Sequence, residues 1–517
     1  MPEFRAVMFL WRQGMSNRLI SWKASVLALF ILSAILVWLD FQGFLAEEMA
    51  FFGAKALEVF YGPEPRLQAT GFVFPPVLVY GTVAVGSPIT LQVLAGALLV
   101  GLISRTIDSL PISQIWCRLW IALIVFNPAF ALMLLRSPNW VITTLLVMGI
   151  MGLSWTIAQP KTMKLPMSLV LVLMGFALAI LMLVRYEAWF ITPLVIAILL
   201  AIFPKESWGF RGTAILVTLF MSWVAIAAWL YLNWQFTGNA FQFFNSAYSG
   251  FHLPGTEFLL QQFDSRLLLD LTRILPLVLA YLLGIVWLFW QAKQRWVNIL
   301  IAVLPILLIV LAIWQETLRR EISYLGLFFG LLPLIWQQAP PLKAWQQGLF
   351  TVVLVISWIG SGFWLQNNHA LPEETVLWRQ LTGQKLPQSL LVQQWVQRHQ
   401  DQRQIANVLY KNLRSNQRVL MDDAINFPII YQINDPRYFI LPYQYEFIPA
   451  LQQPELFAEF IVVSKPQSPI HHWDQVSLFW SQLADPRPIR QEVMPLSQFK
   501  SLLETPYYRL LQRLDSP

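Results

Sequence analysis

Eleven apolar runs, each close to the length needed to cross a bilayer, leave this chain little choice but a helical membrane bundle. They lie near 23–39, 88–104, 115–135, 140–157, 167–184, 188–203, 212–233, 274–290, 297–314, 322–337 and 346–365. In lipid every backbone amide must be satisfied within its own helix, so such runs are read as spans. Composition agrees: 57% of the 517 residues are hydrophobic and 12% are charged, against about 25% charged in a soluble domain. That balance excludes a soluble globular enzyme and a disordered chain. A lone cysteine, Cys117, excludes a disulfide scaffold.

A further apolar stretch at 72–86 opens on Pro75-Pro76 and is short for a crossing. Loop charge decides its reading. If it does not cross, one side of the membrane receives Arg5, Arg12, Arg18, Lys23, Arg105, Arg118, Lys161, Lys164, Lys205, Arg211, Lys293, Arg295 and Lys343 in short segments. Only Glu3, Asp108 and Glu206 accompany them. If it crossed, Lys161 and its successors would face away from the basic N-terminus. The stretch is therefore expected to lie at or dip into the outer interface. The N-terminus is then cytoplasmic, with multi-pass insertion in the plasma (inner) membrane. The formal charge of +7 is an orientation signal confined to residues 1–366, and nucleic acid is not an expected partner. The first helix is expected to be retained: it is long for a signal core, and no small-x-small site follows it.

After 366 the charge rises and the apolar runs shorten. Arg418–Met421 and Phe460–Val463 look like buried strands, and helical patterns fall near 387–398 and 401–415. Two parts are expected. Residues 1–366 form a transmembrane domain with outer-face loops at 40–87 and 234–273, and residues 367–517 form a small extracytoplasmic α/β domain.

Ionisable residues near a bilayer must be paired, solvated or used. Here they gather at the outer face: Asp40 and Glu47-Glu48 in the first loop, Arg136 and Asn139 in LLRSPNW, Arg185 and Glu187 in LVRYEAW, His252, and Arg319 with Arg320. A carboxylate at the surface suits a general base that takes a proton from an attacking hydroxyl. A guanidinium suits a phosphate leaving group. Each also has a structural reading. Glu47-Glu48 fits the solvated first turn of an interfacial helix, and Arg185–Glu187 fits a surface ion pair. Arg319 and Arg320 fit headgroup anchors, and His252 is one histidine in a loop. The sequence has no Gly-rich phosphate loop and no Cys/His metal pattern.

Order along the chain adds to this. A first span precedes an acidic pair (AEEMAFFGAKAL), then a Pro-Pro helix (FVFPPVLVY), an Asn-Pro turn, LLRSPN and RYEAW. This layout resembles the GT-C superfamily of integral membrane glycosyltransferases, in particular the bacterial branch related to the protein O-mannosyltransferases and the lipid A aminoarabinose transferase. The likeness of layout covers residues 23 to about 340, and specific residues match in the first 190. It implies a polytopic α-helical membrane fold of about 11 transmembrane helices, GT-C-like, with the C-terminal domain as an appendage. It also implies inverting transfer of a sugar from a polyprenyl-phosphate donor, without a nucleotide sugar. Glu47 stands at the family's Asp position and would be the base, with Glu48 assisting and Asp40 in reserve. Arg185, and Arg319 or Arg320, would hold the donor phosphate, with Arg136, Asn139, Glu187 and His252 as further substrate contacts. Glu47 is one methylene longer than the family's Asp. Asn139 stands where relatives often carry an acid, so no metal is expected.

The reading is thus an outer-face glycosyltransferase. Its substrate is a lipid-linked phosphosugar, its acceptor is a protein, lipid or polysaccharide, and membrane lipid surrounds it. Three other classes compete: a transporter or flippase, which would place charges at the bilayer midplane within repeats; a saccharide polymerase; and a non-enzymatic scaffold.

Overall fold

Proline and asparagine divide the longer apolar runs into separate helices. Asn127 accepts hydrogen bonds from the amides of Ala129 and Phe130, and Pro128 fills the first helical position, so a new helix starts there. Gln114–Val125 and Pro128–Arg136 consequently meet at 57°. Ser137-Pro138 repeats the device at the next break, with the Ser137 hydroxyl accepting from the amide of Trp140. Gln92 reaches across to the carbonyls of Met133 and Leu134 near that helix end.

The computed structural model describes residues 2–64, 66–72, 74–159, 165–245, 275, 278–290, 295–314, 322–338, 342–367, 371–480 and 498–514. It is mostly helical. Among the described residues five helices are long and apolar enough to cross a membrane: Trp22–Gln42, Pro88–Asp108, Pro138–Ala158, Trp208–Thr237 and Ala344–Asn367. The bent pair makes a sixth if it is one span. The remaining runs form shorter apolar helices, Met167–Met182, Tyr186–Ile202, Val278–Trp290 and Trp296–Ala312, and the helix Gly326–Gln338 around Pro333. Helix length alone therefore supports fewer full-length spans than the eleven apolar runs suggest. The doubtful stretch forms only Pro76–Val85, ten residues, or about 15 Å against a hydrocarbon core of about 30 Å.

Two compact units result: Met1–Leu36 with Ile89–Asn368, and Val37–Pro88 with His369–Pro517. They do not coincide with a single cut at 366, because the first-loop segment groups with the C-terminal residues. In the first unit Met167–Met182 packs closely on Trp208–Thr237. A Cβ on Gly175 would lie 2.3 Å from the Thr218 carbonyl oxygen, so only glycine allows that approach.

The second unit is built on five strands: β1 (Val419–Leu420), β2 (Phe439–Ile440), β3 (Phe460–Ser464), β4 (Phe499–Glu504) and β5 (Tyr508–Arg513). Their order is β2-β1-β3-β5-β4, parallel at β2-β1-β3 and antiparallel at β3-β5-β4. In this sheet strands β1 to β3 and most of β5 are buried, whereas the edge strand β4 is largely exposed. One side packs Ile405, Leu409, Ile429 and Ile430, together with Ala54 from the helix Glu47–Tyr61. The other packs Phe447, Ala450, Leu451 and Val476. Ala54 thus makes the first-loop helix part of the sheet's own core.

Candidate functional site

Glu47 opens the helix Glu47–Tyr61, where the residue before it, Ala46, has no side chain to cap it. The missing cap comes from far along the chain, as Glu373 accepts from the Glu47 amide at 2.7 Å. The two acids of the first turn, Glu47 and Glu48, complement the positive end of the helix dipole. The Glu47 carboxylate, 29% exposed, is paired with the Arg398 guanidinium, and His399 Nε2 lies 3.7 Å from the same oxygen.

The protonation of His399 follows from its surroundings. Its ring stacks on Trp395 at 3.7 Å between centroids, and Nδ1 lies 2.9 Å from the Trp395 carbonyl. A carbonyl only accepts, so Nδ1 carries the proton and Nε2 has a lone pair. Burial, partly offset by Glu47, pushes the imidazole down to about 4. His399 is therefore neutral at pH 7 and a weak base.

A second polar set of this unit starts on the helix Glu47–Tyr61, about two to three turns on from Glu47. Lys55 is buried and paired with Glu58 at 2.9 Å and with Asp423. One ammonium faces two carboxylates. Burial pushes Glu58 up to about 8, against the opposing pull of Lys55, while its acid partners push the ammonium above its ordinary range against burial. The set is balanced when Glu58 holds a proton and Lys55 and Asp423 are charged. Neighbouring Asp422 caps the helix Asp423–Ile433, accepting from the amides of Ala424 and Gln475. Burial and the nearby Asp423 push its carboxyl up to about 7.

Ser464, His471 and Asp474 also approach one another, but they do not form a nucleophilic triad. Asp474 accepts from Ser464 Oγ at 2.8 Å rather than from the imidazole, and Ser464 is fully buried. The set ties β3 to the following helix.

The first unit brings together four of the residues expected to contact substrate. Arg185 is 6% exposed, with Nη2 donating to Glu187 at 2.8 Å and Nη1 to Asn139 at 3.4 Å. Its guanidinium lies 3.9 Å from the centroid of Trp140, a cation–π contact. Among the described residues its buried Nε has no hydrogen-bond partner. Arg136, 8% exposed, donates to Ser323 at 3.1 Å. Packing fixes the surroundings: Trp140 lies 6.0 Å from Tyr324, and Tyr186 stacks on Phe243 and accepts from Trp229. The structural reading of Arg185–Glu187 as a surface pair does not hold, since both are buried.

His252, Arg319 and Arg320 lie outside the described residues. Asp40 ends the first helix and belongs with Glu47 to the second unit. Sequence reasoning missed Lys55, Glu58, Glu373, Arg398 and His399. A lysine three residues before a glutamate in a mostly apolar helix was the one available signal.

Comparison with solved structures places this geometry. The crystal structure of ArnT from Cupriavidus metallidurans bound to undecaprenyl phosphate is similar at a TM-score of 0.50, with 11% identity. The match covers 93% of this chain and 98% of that one. The chain has a GT-C fold. A second GT-C protein, the Archaeoglobus fulgidus oligosaccharyltransferase in its apo form, matches at a TM-score of 0.38 with 12% identity, over 85% of this chain and 69% of that one. No protein-family model and no curated protein matches the sequence. The GT-C fold expected from the order of motifs is thus present in a chain that has diverged far in sequence. Within it, the first-loop acids open a helix docked on the C-terminal sheet, and RYEAW supplies a buried arginine.

Proposed function

We propose that the chain is an inverting glycosyltransferase. It moves a sugar from a polyprenyl-phosphate donor to an acceptor at the outer face of the membrane. The observation that carries the reading is the position of Glu47: a partly exposed carboxylate on the helix that follows the first span, oriented by Arg398 in a GT-C fold. That ArnT is bound to undecaprenyl phosphate is the reason for naming a polyprenyl phosphate as the donor.

The step is a displacement. An acceptor hydroxyl attacks the anomeric carbon as the bond from that carbon to the phosphate oxygen breaks on the opposite face. The hydroxyl proton passes to Glu47, and the electron pair leaves with polyprenyl phosphate. Arg185, whose buried Nε–H has no hydrogen-bond partner among the described residues, is the phosphate contact we propose within the first unit. Asn139, Glu187 and Trp140 hold its plane. Arg398 fixes the Glu47 rotamer, and His399 stays neutral beside it.

The test uses protein in lipid nanodiscs and a panel of undecaprenyl-phosphate hexoses, with release of undecaprenyl phosphate as the readout. Glu47→Gln is expected to slow release by about 100-fold or more with unchanged thermal unfolding. Normal turnover in that variant would remove the base assignment.

A further inference from the structure

A cavity of about 550 Å³ opens in the second unit, bounded by the end of the first helix, the helix Glu47–Tyr61 and the helices Leu390–Asn412 and Asp423–Ile433. Small-ligand sites run from roughly 300 to 1,000 Å³. Its polar wall is formed by Asp40, Arg403, Asn407 and Gln432, and Tyr61 and Tyr431 supply aromatic faces.

These groups differ in what they have left to give. Arg403 is committed: Nη1 donates to the Gln42 carbonyl at 3.0 Å and Nη2 to the Phe41 carbonyl at 3.1 Å, which caps the first helix. It is held as a fixed neighbour of Asp40 rather than a free anion clamp. The Asp40 carboxylate and the carboxamides of Asn407 and Gln432 make no side-chain hydrogen bond among the described residues. One wall therefore offers acceptor-only oxygens and two groups that both donate and accept. Tyr431 is set by close packing, since a Cβ on Gly53 would lie 2.5 Å from its ring.

With one carboxylate, one committed guanidinium and a neutral His399, the wall has no surplus charge. A phosphate needs surplus cations and an amine needs surplus acids. A neutral polyhydroxylated ligand needs what is here: paired donors and acceptors beside an aromatic face. Exposed Trp38 and Phe41 flank Asp40 and place the opening at headgroup level. We propose that this cavity binds a neutral saccharide and holds it as the acceptor. The acceptor role rests on the transferase reading, whereas the binding does not.

The test is saturation-transfer NMR on the full chain in lipid nanodiscs, with maltose and cellobiose as probes. Ring protons of a disaccharide are expected to receive saturation, with the signal falling about 10-fold in Asn407→Leu and Gln432→Leu. Both positions are exposed, and thermal unfolding checks that the variants fold. The absence of transfer to either disaccharide, or equal transfer in both variants, would overturn the proposal. Displacement of the sugar by inorganic phosphate would overturn its neutral class. A citronellyl-linked maltose competing at lower concentration than maltose assigns a lipid-borne saccharide, and equal competition assigns a free one. Undecaprenyl phosphate binding is measured separately on Arg185→Gln, so the transferase reading and the cavity can fail independently.

Discussion

Replacing Lys55 by Met exposes the electrostatics of the first-loop helix. Lys55 is buried between Glu58 and Asp423, and no water replaces its ammonium once the side chain is apolar. Glu58 is already pushed up to about 8, so at pH 7 it gains a full proton at small cost. Asp423 is then left buried without its cation, and removing one partner of a buried pair costs roughly 3–5 kcal/mol. Lys55→Met should therefore lower the unfolding free energy strongly at pH 7. Lys55→Met with Asp423→Asn should recover most of the loss. Thermal or denaturant unfolding in nanodiscs, followed through the C-terminal tryptophans, reads both effects. A penalty that is not relieved by Asp423→Asn would show that Lys55 acts by packing alone.

Other consequences are open to measurement. His399 is held down at about 4 in the folded chain, against about 6.5 unfolded. Its contribution is full above pH 6.5 and is lost as pH falls toward 4, by about 1.4 kcal/mol per unit; His399→Phe, which keeps the stack on Trp395, should flatten that acid limb in a pH series of melting curves. Glu58 works in the opposite sense. Its contribution is full below about 4.5 and declines up to about 8, so Glu58→Gln should flatten the stability curve between pH 5 and 8. Gly175→Ala places a methyl against the Thr218 carbonyl and should cost about 1–3 kcal/mol in unfolding of the helical unit. Arg185→Lys loses the planar contact with Trp140, worth about 0.5–2 kcal/mol, and should lower kcat/KM for donor by about 2- to 30-fold.

What was legible in the sequence followed from local chemistry. Asn127-Pro128 and Ser137-Pro138 read as helix breaks because the cap and the proline are neighbours in sequence. Arg185 and Glu187 read as a pair for the same reason. Val419–Leu420 and Phe460–Ser464 read as strands because short β-branched runs end at turn residues. Asp422-Asp423, just past the strand signal at Arg418–Met421, start a helix that carries Pro428 inside it. Illegible features depend on distant partners. Nothing near Glu47 announces Arg398 or the cap from Glu373, 326 residues away. The patterns near 387–398 and 401–415 looked like two helices, yet Leu390–Asn412 is continuous because His399 is buried against Trp395 rather than breaking the turn. The division into units escaped for the same reason, since Ala54 looks like any small residue on an apolar helix face until its neighbours Ile405 and Ile429 are known.

The discontinuous second unit sets a timetable for biosynthesis. Lys55 and Asp423 are 368 residues apart, and all of Ile89–Asn368 is made between the two halves of that unit. At about 5–20 residues per second of synthesis, Lys55 waits on the order of 20 to 70 s for its counter-charge. During that interval the apolar face around Ala54 has no sheet to cover it. The nascent loop needs protection over that interval, from lipid or from a chaperone. A chain stopped after its last span would carry that need permanently.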